Sequence, residues 1–249
     1  MTNIGVFDTG LGGLSVLSEL IKKKNANYFY LGDSKRAPYG SRNKDEIIKF
    51  ADQIVNFLEE YNIDEYVIAC NTISVIATDY LSEKYKKKFY PIPIYGIKHA
   101  SKYSGDFMVL GTEATVNSHY YKHYLETPGK SKVYEVSARN LVPLIEEGII
   151  EGNEIDDNLK RYLSIANEKK IPNLILACTH YPIIKEAIKK NLTYNANIIN
   201  PATCLASEVN FYETEKNNID IFFTEINDST KIIIDKFIDT DYSLKLKEI

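Results

Sequence analysis

Glu65-Tyr66-Val67-Ile68-Ala69-Cys70-Asn71-Thr72 and Asn173-Leu174-Ile175-Leu176-Ala177-Cys178-Thr179-His180 share one design: a short apolar run, then Ala-Cys, then two polar residues. An apolar run of this length between polar residues reads as a strand buried on both faces, the kind found in parallel sheets. Open α/β sheets collect their ligands beyond the carboxyl ends of such strands. Each cysteine is therefore expected just past a strand end, with a helix opening behind it. A design used twice in one chain predicts two half-similar domains facing across a cleft.

Outward from these copies, short apolar runs alternate with segments of helical period, the pattern of α/β architecture. Strands are expected over Asn3 to Asp8, Tyr28 to Gly32, Tyr66 to Ala69, Phe107 to Leu110, Val133 to Val136, Leu174 to Ala177, Ile198 to Ile199 and Ile219 to Phe223. The clearest helix runs from Lys44 to Tyr61, with Ile47, Phe50, Ala51, Ile54, Val55 and Leu58 on one stripe. Pro91-Ile92-Pro93 suits an extended crossing into the second domain, and Asn200-Pro201 marks the return. The expected fold is two similar, doubly wound α/β domains with mostly parallel sheets, residues 1–94 with 203–249 and residues 95–202.

The chain has 249 residues, 44% apolar and 26% charged, ordinary values for a soluble globular protein. A net charge of −4 offers no basic face for a phosphate backbone, so nucleic acid is not expected as the main partner. No signal-peptide pattern opens the sequence and no apolar run reaches membrane-spanning length. Three widely spaced cysteines fit a reducing compartment better than a disulfide framework, which places the protein in the cytoplasm.

Phe7-Asp8-Thr9-Gly10-Leu11-Gly12-Gly13-Leu14 is a strand ending in an acid and a glycine-rich turn. Ser15 stands where a dinucleotide fingerprint needs its third glycine, and no phosphate-binding lysine loop occurs. Leu31-Gly32-Asp33-Ser34-Lys35-Arg36-Ala37-Pro38-Tyr39-Gly40 is a strand followed by a polar loop that can turn N–H groups toward an anion. By itself the first stretch is equally compatible with a structural helix start, and for the second a plain surface loop is the commoner explanation. A single cysteine after a buried strand is usually a packed apolar residue. Two at equivalent strand ends, each next to a helix N-terminus that lowers thiol pKa, point instead to reactive thiols. A zinc site would need Cys70, Cys178, Cys204 and His180 to meet without any of the usual ligand spacings. Cys204 lacks the strand-Ala-Cys context and reads as a bystander, and His99, His119 and His123 read as surface or packing residues.

Six ordered motifs together resemble the glutamate racemases of the aspartate/glutamate racemase superfamily. They are residues 5–14, residues 30–33 with Pro38-Tyr39-Gly40, residues 69–72, residues 111–116, residues 142–148 and residues 177–182. The resemblance implies interconversion of L- and D-glutamate without pyridoxal phosphate, flavin or metal, in service of peptidoglycan precursor synthesis, by a homodimer. It makes Cys70 and Cys178 the catalytic acid/bases, with Asp8 assisting the first and Glu146 and His180 the second. It assigns substrate contacts to Asp8, Thr9, Pro38, Tyr39, Gly40, Asn71, Thr72, Thr179 and His180, with Thr112 and Thr115 close by. The chain departs from the family pattern at Thr9, where serine is usual, and at Ser137-Ala138-Arg139, which replaces a common Ala-Cys-Pro. The tail near Phe223-Thr224-Glu225 also lacks the usual Ser-Gly.

Racemisation takes a proton from one face of the α-carbon and delivers one to the other, so two flanking groups achieve it with least movement. Thiols suit both parts because they titrate nearer neutrality than lysine or tyrosine. Without an electron sink the carbanion-like transition state needs preorganised donors and excluded water. Asn71, Thr72, Thr179 and the Tyr39-Gly40 backbone are the expected anchors for two carboxylates and an ammonium. An aspartate racemase would share both cysteines, but typically carries an acid where this chain has His180. A non-catalytic amino-acid-binding protein would need the cleft but not two thiols, and thiol alkylation with ligand protection separates it from an enzyme.

Overall fold

The apolar runs are buried along both faces, and alternate residues enter different cores. In the computed structural model, which describes residues 2–249, Ile4, Val6 and Val67 join one cluster with Leu14, Leu17 and Leu205. Phe7, Tyr66 and Ile68 join another with Ile47, Ile54 and Leu58. The second sheet repeats the arrangement, with Leu174 and Leu176 on one side and Ile175 and Ala177 on the other. A strand with helices on both faces has no solvent side, hence its unbroken apolar sequence.

The strands are Asn3–Asp8 (β1), Asn27–Gly32 (β2), Glu65–Ile68 (β3), Lys88–Pro91 (β4), Phe107–Gly111 (β5), Val133–Ser137 (β6), Asn173–Ala177 (β7), Asn197–Ile199 (β8), Asn218–Phe223 (β9) and Ser243–Leu246 (β10). They form one sheet in the order β10-β9-β2-β1-β3-β4 and another in the order β6-β5-β7-β8. Every neighbouring pair is parallel. The order β2-β1-β3-β4 is the order β6-β5-β7-β8 four strands earlier, so the sequence echo is a topological repeat. Thr9 and Thr112 follow its first strands, and Cys70 and Cys178 lie just beyond its third strands, β3 and β7. β4 and β10 were not expected from the sequence.

The Lys44–Leu58 helix opens on a reciprocal cap, Asn43 accepting from the Glu46 N–H while the Glu46 side chain returns to the Asn43 backbone, and a 3-10 turn, Glu59–Tyr61, extends it. The crossing at Pro91-Ile92-Pro93 is not the extended link expected. Pro91 ends β4, and Ile92–Ala100 is a helix with proline in its first turn, where the missing N–H costs nothing. The return to the first sheet runs through the Pro201–Glu208 helix, capped by Asn200. These two helices pack together so closely that a Cβ on Gly96 would stand 2.9 Å from Pro201 Cγ. Among the described residues no helix is long and apolar enough to cross a membrane.

Candidate active site

The carboxyl ends of β1, β2, β3, β5, β6 and β7 open onto one cavity of about 270 Å³. Thr9 enters it from β1, Pro38, Tyr39, Gly40 and Ser41 from the loop after β2, and Cys70, Asn71 and Thr72 from β3. Thr112 and Glu113 follow β5, Arg139 and Asn140 follow β6 with Val142 and Pro143 behind them, and Cys178, Thr179, His180 and Tyr181 follow β7. Both thiols thus line one small space. Of the residues expected at the site, Asp8, Thr115 and Glu146 do not line it and stand behind residues that do.

Cys178 has a polar relay. Its Sγ lies 3.8 Å from Nδ1 of His180, whose Nε2 lies 3.0 Å from Glu146 Oε1. Burial opposes charge on the imidazole, but the Cys178 and Glu146 contacts outweigh it and hold the His180 pKa up to about 10. The arrangement can hold an imidazolium beside the Cys178 sulfur, with the Glu146 carboxylate against its far ring nitrogen. No α-helix starts at Cys178, contrary to expectation. The chain turns and enters a 3-10 helix, Tyr181–Ile184, so the imidazole rather than a helix terminus serves this thiol.

Cys70 does cap a helix, Asn71–Tyr85. Its thiol nonetheless sits well above its ordinary range, pushed up by burial and then by the Asp8 carboxylate, while the Ile73 and Thr72 N–H groups pull only partly the other way. The expected fall toward neutrality is therefore absent, because desolvation exceeds what the helix terminus supplies. Asp8 is fully enclosed. Its Oδ1 accepts from Gly10 N (3.1 Å) and Thr9 Oγ1 (3.2 Å), and its Oδ2 from Thr179 Oγ1 (3.2 Å). Burial raises the Asp8 carboxyl pKa against the opposing pull of His180 and these donors. Asp8 thus reaches Cys70 through its field and ties the β1 turn to the β7 turn.

The other walls are held from behind. The Asn71 side-chain carbonyl accepts from Tyr121 Oη at 2.7 Å, while its buried Nδ2 has no partner among the described residues. Thr72, Thr112 and Thr115 share hydroxyl contacts of 2.9 to 3.4 Å that join the β3 end to the β5 end. Gly40 fits against Thr112, and its carbonyl accepts from Ala114 N at 3.0 Å. Tyr39 Oη donates to buried Asp33, which also takes Arg36 Nε at 2.5 Å and Thr224 Oγ1 at 2.8 Å. A Cβ on Gly12 would stand 2.5 Å from Thr179 Oγ1 and 2.6 Å from the His180 ring, so the β1 turn must carry glycine there. Cys204 belongs to the crossing-helix core with Ala100, Phe107 and Tyr121, away from the cavity.

The Asp/Glu/hydantoin racemase family model matches residues 9–209, a span that holds both cysteines. The glutamate racemase of Aquifex pyrophilus is 35% identical over 250 residues, covering 98% of this chain and 97% of that one. The chain belongs to the Asp/Glu/hydantoin racemase family. Among solved relatives, a glutamate racemase isoform of Bacillus anthracis superposes with a TM-score of 0.92 at 28% identity, covering 100% of this chain and 98% of its own. The Francisella tularensis glutamate racemase, solved in complex with D-glutamate, gives 0.86 at 31% identity, covering 99% and 97%.

This racemase-family cavity also holds residues that sequence reasoning passed over. Ser41, Glu113, Arg139, Asn140 and Tyr181 line it, and Tyr121 and Asp33 support its walls. Arg139 had a usable signal, a cation two residues past the end of a strand at the ligand-binding edge of the sheet.

The His180 relay of this family member carries a pH signature. A folded pKa of about 10 against an ordinary 6.5 stabilises the protein fully below about pH 6.5, and that contribution is lost as pH rises toward 10. Glu146→Gln removes one source of the elevation. The unfolding free-energy difference between wild type and this variant should therefore shrink as pH rises toward 10, falling between the variant's lower His180 pKa and that of wild type, in urea titrations. A constant difference across that range would show that the imidazole does not titrate there.

Proposed function

We propose that the chain is a glutamate racemase that moves the α-proton between Cys70 and Cys178. The observation that carries this reading is a pair of thiols on equivalent strand ends lining one cavity of about 270 Å³. That volume lies at the small end of ligand sites and suits a free amino acid. Cys178 exchanges its proton with the help of His180 and Glu146. Cys70 is steadied by the Thr72 and Ile73 N–H groups and biased by Asp8. Thr9, the Pro38-Tyr39-Gly40 segment, Asn71, Thr72, Thr112, Thr179 and His180 hold the substrate, with Thr115 and Asp8 acting from behind. The unpartnered Asn71 Nδ2 supports this, since a buried donor without an acceptor is costly and a substrate carboxylate would satisfy it.

The two lobes are residues 1–94 with 203–249 and residues 95–202, hinged on the packed Ile92–Ala100 and Pro201–Glu208 helices. The enzyme works as a homodimer in the cytoplasm and supplies D-glutamate for peptidoglycan precursors. The three unpaired cysteines fit that compartment. His180 in place of an acid favours glutamate over aspartate.

Purified protein given D-glutamate, without added cofactor, should produce L-glutamate by chiral chromatography, and glutamate should turn over faster than aspartate. Preference for aspartate, or activity only with added pyridoxal phosphate, overturns the reading.

A further inference from the structure

The cavity wall carries two cationic side chains, Arg139 and His180. His180 is buried and engaged by Cys178 and Glu146. Arg139 is different. Its side chain is 69% exposed and its ion-pair partner is Glu113, also on the cavity wall, 43% exposed and 3.6 Å away. A close charge-assisted contact is about 2.7–2.9 Å, and exposed pairs of this kind contribute roughly 0–1 kcal/mol. The guanidinium can therefore change partner at little cost. The loop that carries it follows β6, the topological counterpart of β2, whose loop supplies Tyr39 and Gly40.

We propose that Arg139 is a specificity-determining residue that recruits the anionic substrate into the cavity, releasing Glu113 to bind the substrate's distal carboxylate. This rests on the reading of the cavity as a glutamate site. Glutamate is a net anion at neutral pH, and the other lining side chains apart from Glu113 and His180 are hydroxyls, amides, thiols and apolar groups. Without Arg139 the approaching dicarboxylate meets Glu113 alone and is repelled. With it the charge of Glu113 is cancelled while the cavity is empty, and a cation is offered when substrate arrives. A charge at such a rim acts chiefly on association and on salt dependence.

The test compares wild type, Arg139→Gln, Arg139→Lys and Glu113→Gln in steady-state racemisation across ionic strengths, with D-glutamate binding measured separately by calorimetry. Arg139→Gln should raise KM and Kd about tenfold, leave kcat within about twofold, and flatten the fall of kcat/KM with salt. Arg139→Lys should restore most of the loss, because a point charge suffices for recruitment, and Glu113→Gln should lower Kd. An Arg139→Gln enzyme with unchanged KM, Kd and salt dependence overturns the proposal. So does a variant that loses kcat with its salt dependence intact, which would mark a structural role. A wild type that binds D-glutamate but does not racemise it overturns the proposed activity instead, and the calorimetric comparison still decides the role of Arg139.

Discussion

Cys70→Ala and Cys178→Ala are each expected to lower kcat for glutamate racemisation by about three orders of magnitude or more, while Cys204→Ala stays within a few-fold of wild type. One positioned acid or base typically contributes 10²–10⁴-fold, and here every turnover needs both. The contrast rests on placement, because all three cysteines are buried and unpaired. Cys70 and Cys178 line the cavity, whereas Cys204 packs in the core of the crossing helices. Removing one buried sulfur costs roughly 1 kcal/mol, on the scale of small core truncations, so all three variants should fold. Circular dichroism melts alongside the kinetic assay check this. Comparable activity losses in all three folded variants would show that position in the cavity is not what matters.

The thiols were legible because a parallel strand covered on both faces writes itself as an unbroken apolar run, and whatever follows it sits at the ligand edge. The same reasoning missed β4 and β10 for physical reasons. Lys88–Pro91 begins on an exposed lysine and ends on proline, and Ser243–Leu246 has no buried residue, Lys245 and Leu246 being exposed. Both lie at sheet edges, where pairing on one side suffices and the apolar signature is short or diluted. Pro91-Ile92-Pro93 was misread because proline suits the first turn of a helix as well as an extended link. The protonation state of Cys70 was out of reach as well. Its helix N-terminus can be read from sequence, but the burial that outweighs it, and the Asp8 carboxylate that adds to it, depend on tertiary packing. Glu146 was named only through resemblance, since its part depends on meeting His180 from a separate segment of the chain.

The inequality of the two thiols bears on how proton transfer should appear in heavy water. Cys178 has an imidazole and a carboxylate in line behind it, and Cys70 has backbone N–H groups and the field of Asp8. If the thiols serve opposite faces of the α-carbon, the one that removes the proton is never the one that delivers its replacement. The removed proton exchanges with solvent while the other thiol delivers deuterium. Started from either enantiomer in deuterium oxide, newly formed product should carry deuterium at the α-carbon almost completely, and recovered substrate should carry almost none at early times. A single base reaching both faces would return part of the original proton to product and label both enantiomers at similar rates. Early-time mass spectrometry of the separated enantiomers distinguishes these cases. Substantial protium in fresh product, or early deuterium in recovered substrate, would refute transfer across the cleft between Cys70 and Cys178.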